Sequence, residues 1–290
     1  MASVNSRQKN QVVLCLSGGM DSTALLLHYL SRGFFVHGIS FDYGQKHRIE
    51  LDRLQSNLAY FNQHGITQIQ WKLIDLTSTT ELLASALTNQ EIDVPLGHYE
   101  DSSMKSTFVP NRNAIFCSIA YGFSLSLAEK FNQLVKLGLG VHSGDHAIYP
   151  DCRPEFYAAL LHAFQIGNWN SERVELELPY LHLNKSDILV DARESIDALQ
   201  LDFATVFRNT CSSYLPDAQG RSLGQTGSDV ERILAFHRLG WIDPIEYQVS
   251  WPEAVQRALD LERNFQARLP GESAAADQPP DSERKFNVGG

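Results

Sequence analysis

The chain is short of cysteine, of long apolar runs and of basic charge, and each shortfall removes a class of protein. Four cysteines (Cys15, Cys117, Cys152, Cys211) in 290 residues stand without pairable spacing, which argues against a disulfide framework. No segment approaches the roughly 18–20 consecutive apolar residues of a membrane-spanning helix. The polar stretch from Met1 to Gln11 lacks the apolar core of a signal peptide, so a cytoplasmic location is expected. With 24 Lys and Arg against 34 Asp and Glu, the net charge of −10 argues against a general nucleic-acid surface and leaves only a local basic groove open. Small-molecule chemistry suits this charge better. No internal repeat is found.

What the chain does have is Ser17-Gly18-Gly19-Met20-Asp21-Ser22, between the apolar run Val12–Leu16 and the helical pattern Thr23–Leu30. Strand, glycine turn and helix follow one another. The amides of a first helical turn are unpaired and lie at the positive end of the helix dipole, and phosphate is the common occupant of such a place. Ser17 and Ser22 add hydroxyls, and Ser22 is a candidate helix cap. Asp21 beside a phosphate cradle makes sense with magnesium between them. No Gly-Lys-Ser/Thr follows, and the third glycine of a dinucleotide fingerprint is missing.

Downstream, strands are expected at Phe34–Phe41, Ile66–Ile74, Val135–Val141 and Val174–Leu178. Helices are expected at Lys46–Phe61, Thr77–Leu87, Arg112–Phe131, Pro154–Ile166 and Lys185–Ser195. Thr88–Thr107 reads as a long loop with few core residues. Alternating strands and helices imply an α/β fold, a Rossmann-like parallel sheet with helices on both faces, with ligands beyond the carboxyl ends of its strands. A small helical part is expected over about 200–268 of a single domain, 11–268. The polar composition of 269–290, ending in Gly289-Gly290, reads as a flexible tail.

Four further stretches fall at strand ends or helix starts. Phe41, Asp42 and Tyr43 are candidates for an adenosine site, although an ordinary strand end with a glycine turn is the competing reading. Arg112 and Lys185 stand in first helical turns, where a cation opposes the dipole unless an anion lies there; a solvated side chain is the alternative in each case. Asp145, Tyr149 and Asp151 flank a loop where carboxylates would read a guanine-like edge, and Asp151 alone serves equally as a helix N-cap.

Taken in order, Ser-Gly-Gly-Met-Asp-Ser, Phe-Asp-Tyr-Gly-Gln-Lys-His, Phe-Val-Pro-Asn-Arg-Asn, Tyr-Pro-Asp-Cys-Arg-Pro-Glu-Phe and Asn-Lys-Ser-Asp resemble the 7-cyano-7-deazaguanine synthase family of ATP pyrophosphatases. The similarity runs from about Gln11 to Tyr214. It implies an adenine nucleotide alpha-hydrolase-like fold and an ATP- and Mg2+-dependent C–N ligase. In that reaction 7-carboxy-7-deazaguanine is adenylated, ammonia gives the amide, and a second activation gives the nitrile. The resemblance makes Ser17, Asp21, Arg112 and Lys185 catalytic, and Ser17, Gly18, Gly19, Asp21, Ser22, Phe41, Asp42 and Tyr43 nucleotide-binding. Gln45, His47, Asp145, Tyr149 and Asp151 become substrate-binding, and Asp21 meets the metal through magnesium.

The chain departs from the family's zinc site of four cysteines. Cys211 answers to the first, but residues 221–229 hold none, so no zinc is expected. Asn111 stands where the family usually has glycine. Such divergence leaves room for an anti-phage relative that conjugates the deazaguanine to a partner protein or another macromolecule. A tRNA-modifying enzyme of the same loop class, or a non-catalytic nucleotide-binding subunit, is the more distant alternative. A homodimer is compatible with the sequence.

Overall fold

A computed structural model describes residues 10–268, apart from 47, 81, 84, 90, 143 and 145–148. Five parallel strands form one sheet in the order β3-β2-β1-β4-β5. They are β1 (Gln11–Cys15), β2 (Phe35–Asp42), β3 (Ile69–Asp75), β4 (Val135–Gly138) and β5 (Val174–Glu177). Between and after them lie α1 (Met20–Ser31), α2 (Ile49–Gln63), the single turn α3 (Thr77–Thr80), α4 (Arg112–Phe131), α5 (Pro154–Gly167), α6 (Lys185–Ala198), α7 (Phe203–Arg208), α8 (Gly227–Arg238) and α9 (Trp251–Gln266).

The alternation of β1 splits the core. Val12, Leu14 and Leu16 join α1, α2, α6 and α7 on one face. Val13 joins Cys117, Ala120 and Tyr121 of α4 and Tyr157 of α5 on the other. Side chains of a strand point alternately to its two faces, and both faces here are covered, as a parallel sheet requires. A third cluster, Val230, Ile233, Leu234, Ala254 and Ala258, packs α8 on α9. The expected α/β sheet and helical C-terminal part are both present. The chain passes outward from β1 through β2 to β3, then returns to β4 beside β1. The crevice beyond β1 and β4 is therefore the sheet's switch point, where such folds bind ligands.

Three expectations are corrected. The helix expected over Thr77–Leu87 is one turn, Thr77–Thr80. Three threonines and a serine are weak helix formers, and Ser85 Oγ takes the Leu87 amide at 3.1 Å, away from any helical ladder. The loop after it is better anchored than its composition suggested. It holds a 3-10 turn at Ser102–Thr107 and buries Val94, His98, Met104 and Thr107. The fourth strand stops at Gly138, and the buried Leu139 and Val141 continue past it as cavity wall. The tail, 269–290 with its Gly289-Gly290 end, lies outside the described residues.

Candidate active site

A cavity of about 330 Å³ opens at the switch point. One end of it is the turn between β1 and α1. Gly18 takes φ +92°, and a Cβ there would stand 2.0 Å from the Glu50 carbonyl oxygen, so only glycine lets the turn press against α2. Ser22 does not cap α1. Its Oγ accepts from the Ser17 and Gly18 amides (3.2 Å each) and donates to the Gly19 carbonyl (3.2 Å), strapping the turn from inside. Ser17 Oγ accepts from the Gly19 amide at 3.2 Å. The first helical bond runs from Thr23 N to Gly19 O at 3.1 Å, which leaves the Met20, Asp21 and Ser22 amides ahead of the ladder.

Cations reach this cavity from two other helix starts. Arg112 opens α4 behind Asn111, which takes a left-handed φ of +59°. Asparagine tolerates that conformation better than most residues, which accounts for it where the family usually has glycine. Arg112 donates to Tyr43 Oη at 3.3 Å and to Asn113 Oδ1 at 3.4 Å. Lys185 opens α6 behind a capping box of Asn184 and Asp187. It is buried, 2.5 Å from Glu231 Oε2 and 3.5 Å from Asp21 Oδ2. His142 stands 3.7 Å from both Asp21 Oδ2 and Glu231 Oε1. Burial tends to raise the Glu231 carboxyl, but Lys185 and His142 overcome it and hold the group below its ordinary value.

The walls divide by chemistry. Phe41 stacks on Phe116 at 4.0 Å and 9°, and with Leu87, Cys117, Leu139 and Val141 forms an apolar side. Tyr149, whose hydroxyl meets Thr107 Oγ1 at 2.7 Å, forms a polar side with Asn113 and the buried Asp151. Asp151 does not cap α5, whose N-cap is Arg153 without a side-chain bond.

Of the candidates named from sequence, Ser17, Gly19, Asp21, Ser22, Phe41, Tyr43, Arg112, Tyr149, Asp151 and Lys185 all line this one cavity. Three do not. Gly18 is packed behind it on α2. Asp42 points away, paired with Arg48 at 2.8 Å and accepting from the Gly44 amide at 3.3 Å. Gln45 is buried behind the wall, accepting from the Tyr43 amide (2.9 Å) and donating to Phe41 O and Glu50 Oε1 (3.3 Å each). His47 and Asp145 lie outside the described residues.

Sequence reasoning missed Glu50, His142, Ser212, Tyr214 and Glu231. Of these, all but His142 line the cavity. Glu50 had a detectable signal: with Leu54, Asn57 and Phe61 it falls on the buried stripe of α2. Burial drives its carboxyl up from 4.5 to about 8, against the pull of the Gln45 bond and Arg112.

The stretch 221–229, where a cysteine cluster is expected from the family, is built around Asp229. Its carboxylate accepts from Ser222 Oγ (2.6 Å), Thr226 Oγ1 (2.7 Å), Ser213 Oγ (3.1 Å) and the Thr226 amide (3.1 Å), all buried. Cys211 does not join it. Its thiol faces the Ser213 carbonyl at 3.8 Å and is pushed up to about 11 by burial. His237 is exposed on α8. Among the described residues no group of three or more His, Cys, Asp or Glu is arranged to hold a metal ion, and no helix is long and apolar enough to cross a membrane.

The family model "Queuosine biosynthesis protein QueC" matches residues 11–240. A 7-cyano-7-deazaguanine synthase from Methanoregula boonei is 41% identical over 238 residues, covering 82% of this chain and 99% of that protein. Its namesake from Caldicellulosiruptor bescii is 40% identical over 240 residues (83% and 98%), and that from Pseudoalteromonas translucida 39% over 238 residues (82% and 99%). Among solved structures, NMN synthetase from Francisella tularensis aligns over 97% of this chain and 93% of its own at a TM-score of 0.37 and 15% identity, a likeness too distant to carry an inference. The chain belongs to the QueC family of 7-cyano-7-deazaguanine synthases.

Proposed function

We propose that this chain is an ATP-dependent 7-cyano-7-deazaguanine synthase, converting 7-carboxy-7-deazaguanine and ammonia to the nitrile through an acyl-adenylate and an amide. One observation carries the reading: in a chain 41% identical to a protein of that name, Ser17, Asp21, Arg112 and Lys185 come from three helix starts and a strand end to line one cavity.

In this reading the Ser17–Ser22 turn binds the ATP phosphates with its amides and the Ser17 hydroxyl. Arg112 and Lys185 meet the charge that develops on the departing pyrophosphate, as preorganised cations do. The Asp21 Oδ1 atom is buried without a hydrogen-bond partner, which fits a magnesium ion held by one carboxylate together with substrate phosphates. Bound there, the ion supplies Lewis-acid screening of the phosphate charge. Phe41 and Tyr43 offer aromatic surface to the adenine, and Asp151 and Tyr149 offer acceptors to the N–H edge of the deazaguanine. Asp42 and Gln45 act from behind as positioning residues of the Tyr43 turn.

The test is product mass spectrometry after incubation with ATP, magnesium, 7-carboxy-7-deazaguanine and ammonium. Nitrile and pyrophosphate are expected from the wild type and neither from Asp21→Ala or Ser17→Ala. Unchanged pyrophosphate release in both variants overturns the assignment of the turn.

A further inference from the structure

The proposed reaction moves protons at nitrogen twice, and none of the residues assigned above takes them. When ammonia attacks the acyl-adenylate, a C–N bond forms, the C–O bond to AMP breaks, and the nitrogen sheds one proton. In the second round the amide oxygen is adenylated. The nitrogen then loses its remaining hydrogens as the C–O bond breaks and the nitrile forms with AMP as leaving group. A base at the cavity wall is required both times.

The cavity's carboxylates differ in their commitments. Glu231 and Asp21 share Lys185, at 2.5 and 3.5 Å. Asp151 stands on the opposite, polar wall beside Cys152 and Asn113. Glu50 lies in the wall directly behind the phosphate turn. Its own carbonyl is the atom against which Gly18 is packed, and the Gly18 carbonyl in turn accepts from the Cys211 amide at 3.1 Å. The Glu50 side chain is buried, lines the cavity with Arg112, Cys211 and Ser212, and is oriented by Gln45 Nε2 at 3.3 Å. Glu50 thus shares one cavity with Ser17, Asp21 and Ser22 of the turn, where the synthase reading holds the nucleotide phosphates.

We propose that Glu50 is the proton acceptor of both nitrogen steps, a role that rests on the synthase reading above. Among the described residues, the groups facing it from neighbouring elements include Arg112 of α4, Tyr43 after β2, the Cys211 thiol after α7, and Gln45. Burial raises Tyr43 above its ordinary 10 and Cys211 to about 11, and Arg112 stays charged. Around neutral pH Glu50 is then the group of this set that titrates, near 8, close to the working pH that suits an acid–base catalyst.

The decisive experiment feeds the enzyme 7-amido-7-deazaguanine with ATP and magnesium. That half-reaction uses no ammonia, so its pH profile carries no contribution from ammonium. Wild-type nitrile formation should rise as pH passes through about 8. Glu50→Gln should fall by about 100-fold or more, the lower end of what a general base contributes, and lose that rise. Glu50→Asp should regain part of both. Pyrophosphate release from the carboxylate substrate in a single turnover without ammonium should change no more than a few-fold in Glu50→Gln. Equal loss of both half-reactions assigns Glu50 to packing and overturns the proposal. So does a wild-type rate that falls above pH 8 with activity kept in Glu50→Gln, which marks a neutral hydrogen-bond donor. A wild type that makes no nitrile from either substrate instead removes the synthase reading, and the role of Glu50 with it.

Discussion

Replacing Gly18 by alanine tests the tightest glycine contact among the described residues. At φ +92° an alanine carries the left-handed penalty, on the order of 1–2 kcal/mol. Its Cβ would also stand 2.0 Å from the Glu50 carbonyl oxygen, 2.8 Å from the carbonyl carbon and 3.2 Å from Leu54 Cβ. The first two are backbone atoms that no rotamer change can move. The start of α2 or the phosphate turn must shift, and overpacking of that kind costs a further ~1–3 kcal/mol. The sum is about 2–5 kcal/mol. Two controls separate the parts. Gly44 has φ +73° with nothing within 4 Å of its missing Cβ, so Gly44→Ala should cost only the backbone term. Gly19 has a negative φ of −74°, and its Cβ would meet Ser17 Oγ at 3.3 Å and Cys211 O at 3.5 Å, so Gly19→Ala should stay near wild-type stability. Urea unfolding of the three variants gives the ranking. If Gly18→Ala is no less stable than Gly44→Ala, the turn is not pressed on α2, and the placement of Glu50 behind it is wrong.

Four further outcomes are expected. Lys185→Met leaves the Glu231 carboxylate buried opposite Asp21, at a cost of about 3–5 kcal/mol for a broken buried pair, and abolishes pyrophosphate release. Because Glu231 is held below its ordinary 4.5 in the folded chain, its stabilisation is complete above that value and lost below it, as pH falls through the lower value of the folded state. An acid titration of melting temperature should therefore show a step there that Glu231→Gln lacks. Asp229→Ala strands the hydroxyls of Ser213, Ser222 and Thr226 and should cost on the order of 3 kcal/mol or more by thermal melting. Elemental analysis should find no stoichiometric zinc, and chelators should leave the melting temperature unmoved; about one zinc per chain would reverse that expectation.

The sequence was most legible where function is written in local pattern. The Ser17–Ser22 turn follows a strand and opens a helix, and Arg112 and Lys185 announce themselves as cations at the wrong end of a dipole. Their partners were hidden. Glu231 sits on α8, and His142 follows β4. Neither has a spacing to Asp21 or Lys185 that a sequence pattern expresses: the pairing of β4 with β1 sets His142 near Asp21, and the docking of α8 against α6 brings Glu231 to Lys185. Asp42 and Gln45 show the opposite error. They lie inside a motif with ligand-binding neighbours, yet short polar side chains next to a tight turn satisfy the turn's own amides first, as the bonds to Gly44 N and Tyr43 N do here.

The same docking explains why the C-terminal part is a wall of the site and not an appendage. The segment Thr210–Ser213 is held from alternate sides. Arg232, fully buried and paired with Asp243 at 2.6 Å, donates to Thr210 Oγ1 at 2.8 Å and to Ser212 Oγ at 3.2 Å. Asp229 takes Ser213 Oγ. Between those anchors the Cys211 amide holds the Gly18 carbonyl, so the rigidity of the Ser17–Ser22 turn depends on side chains more than 200 residues further along the chain. A buried pair broken on one side leaves an uncompensated charge, so Arg232→Met should not only destabilise the fold. It should release the 210–213 segment and loosen the turn, and the amides of Gly18 and Cys211 should lose hydrogen-exchange protection together. Loss of protection confined to the C-terminal helices would mean that the segment is held by something other than Arg232.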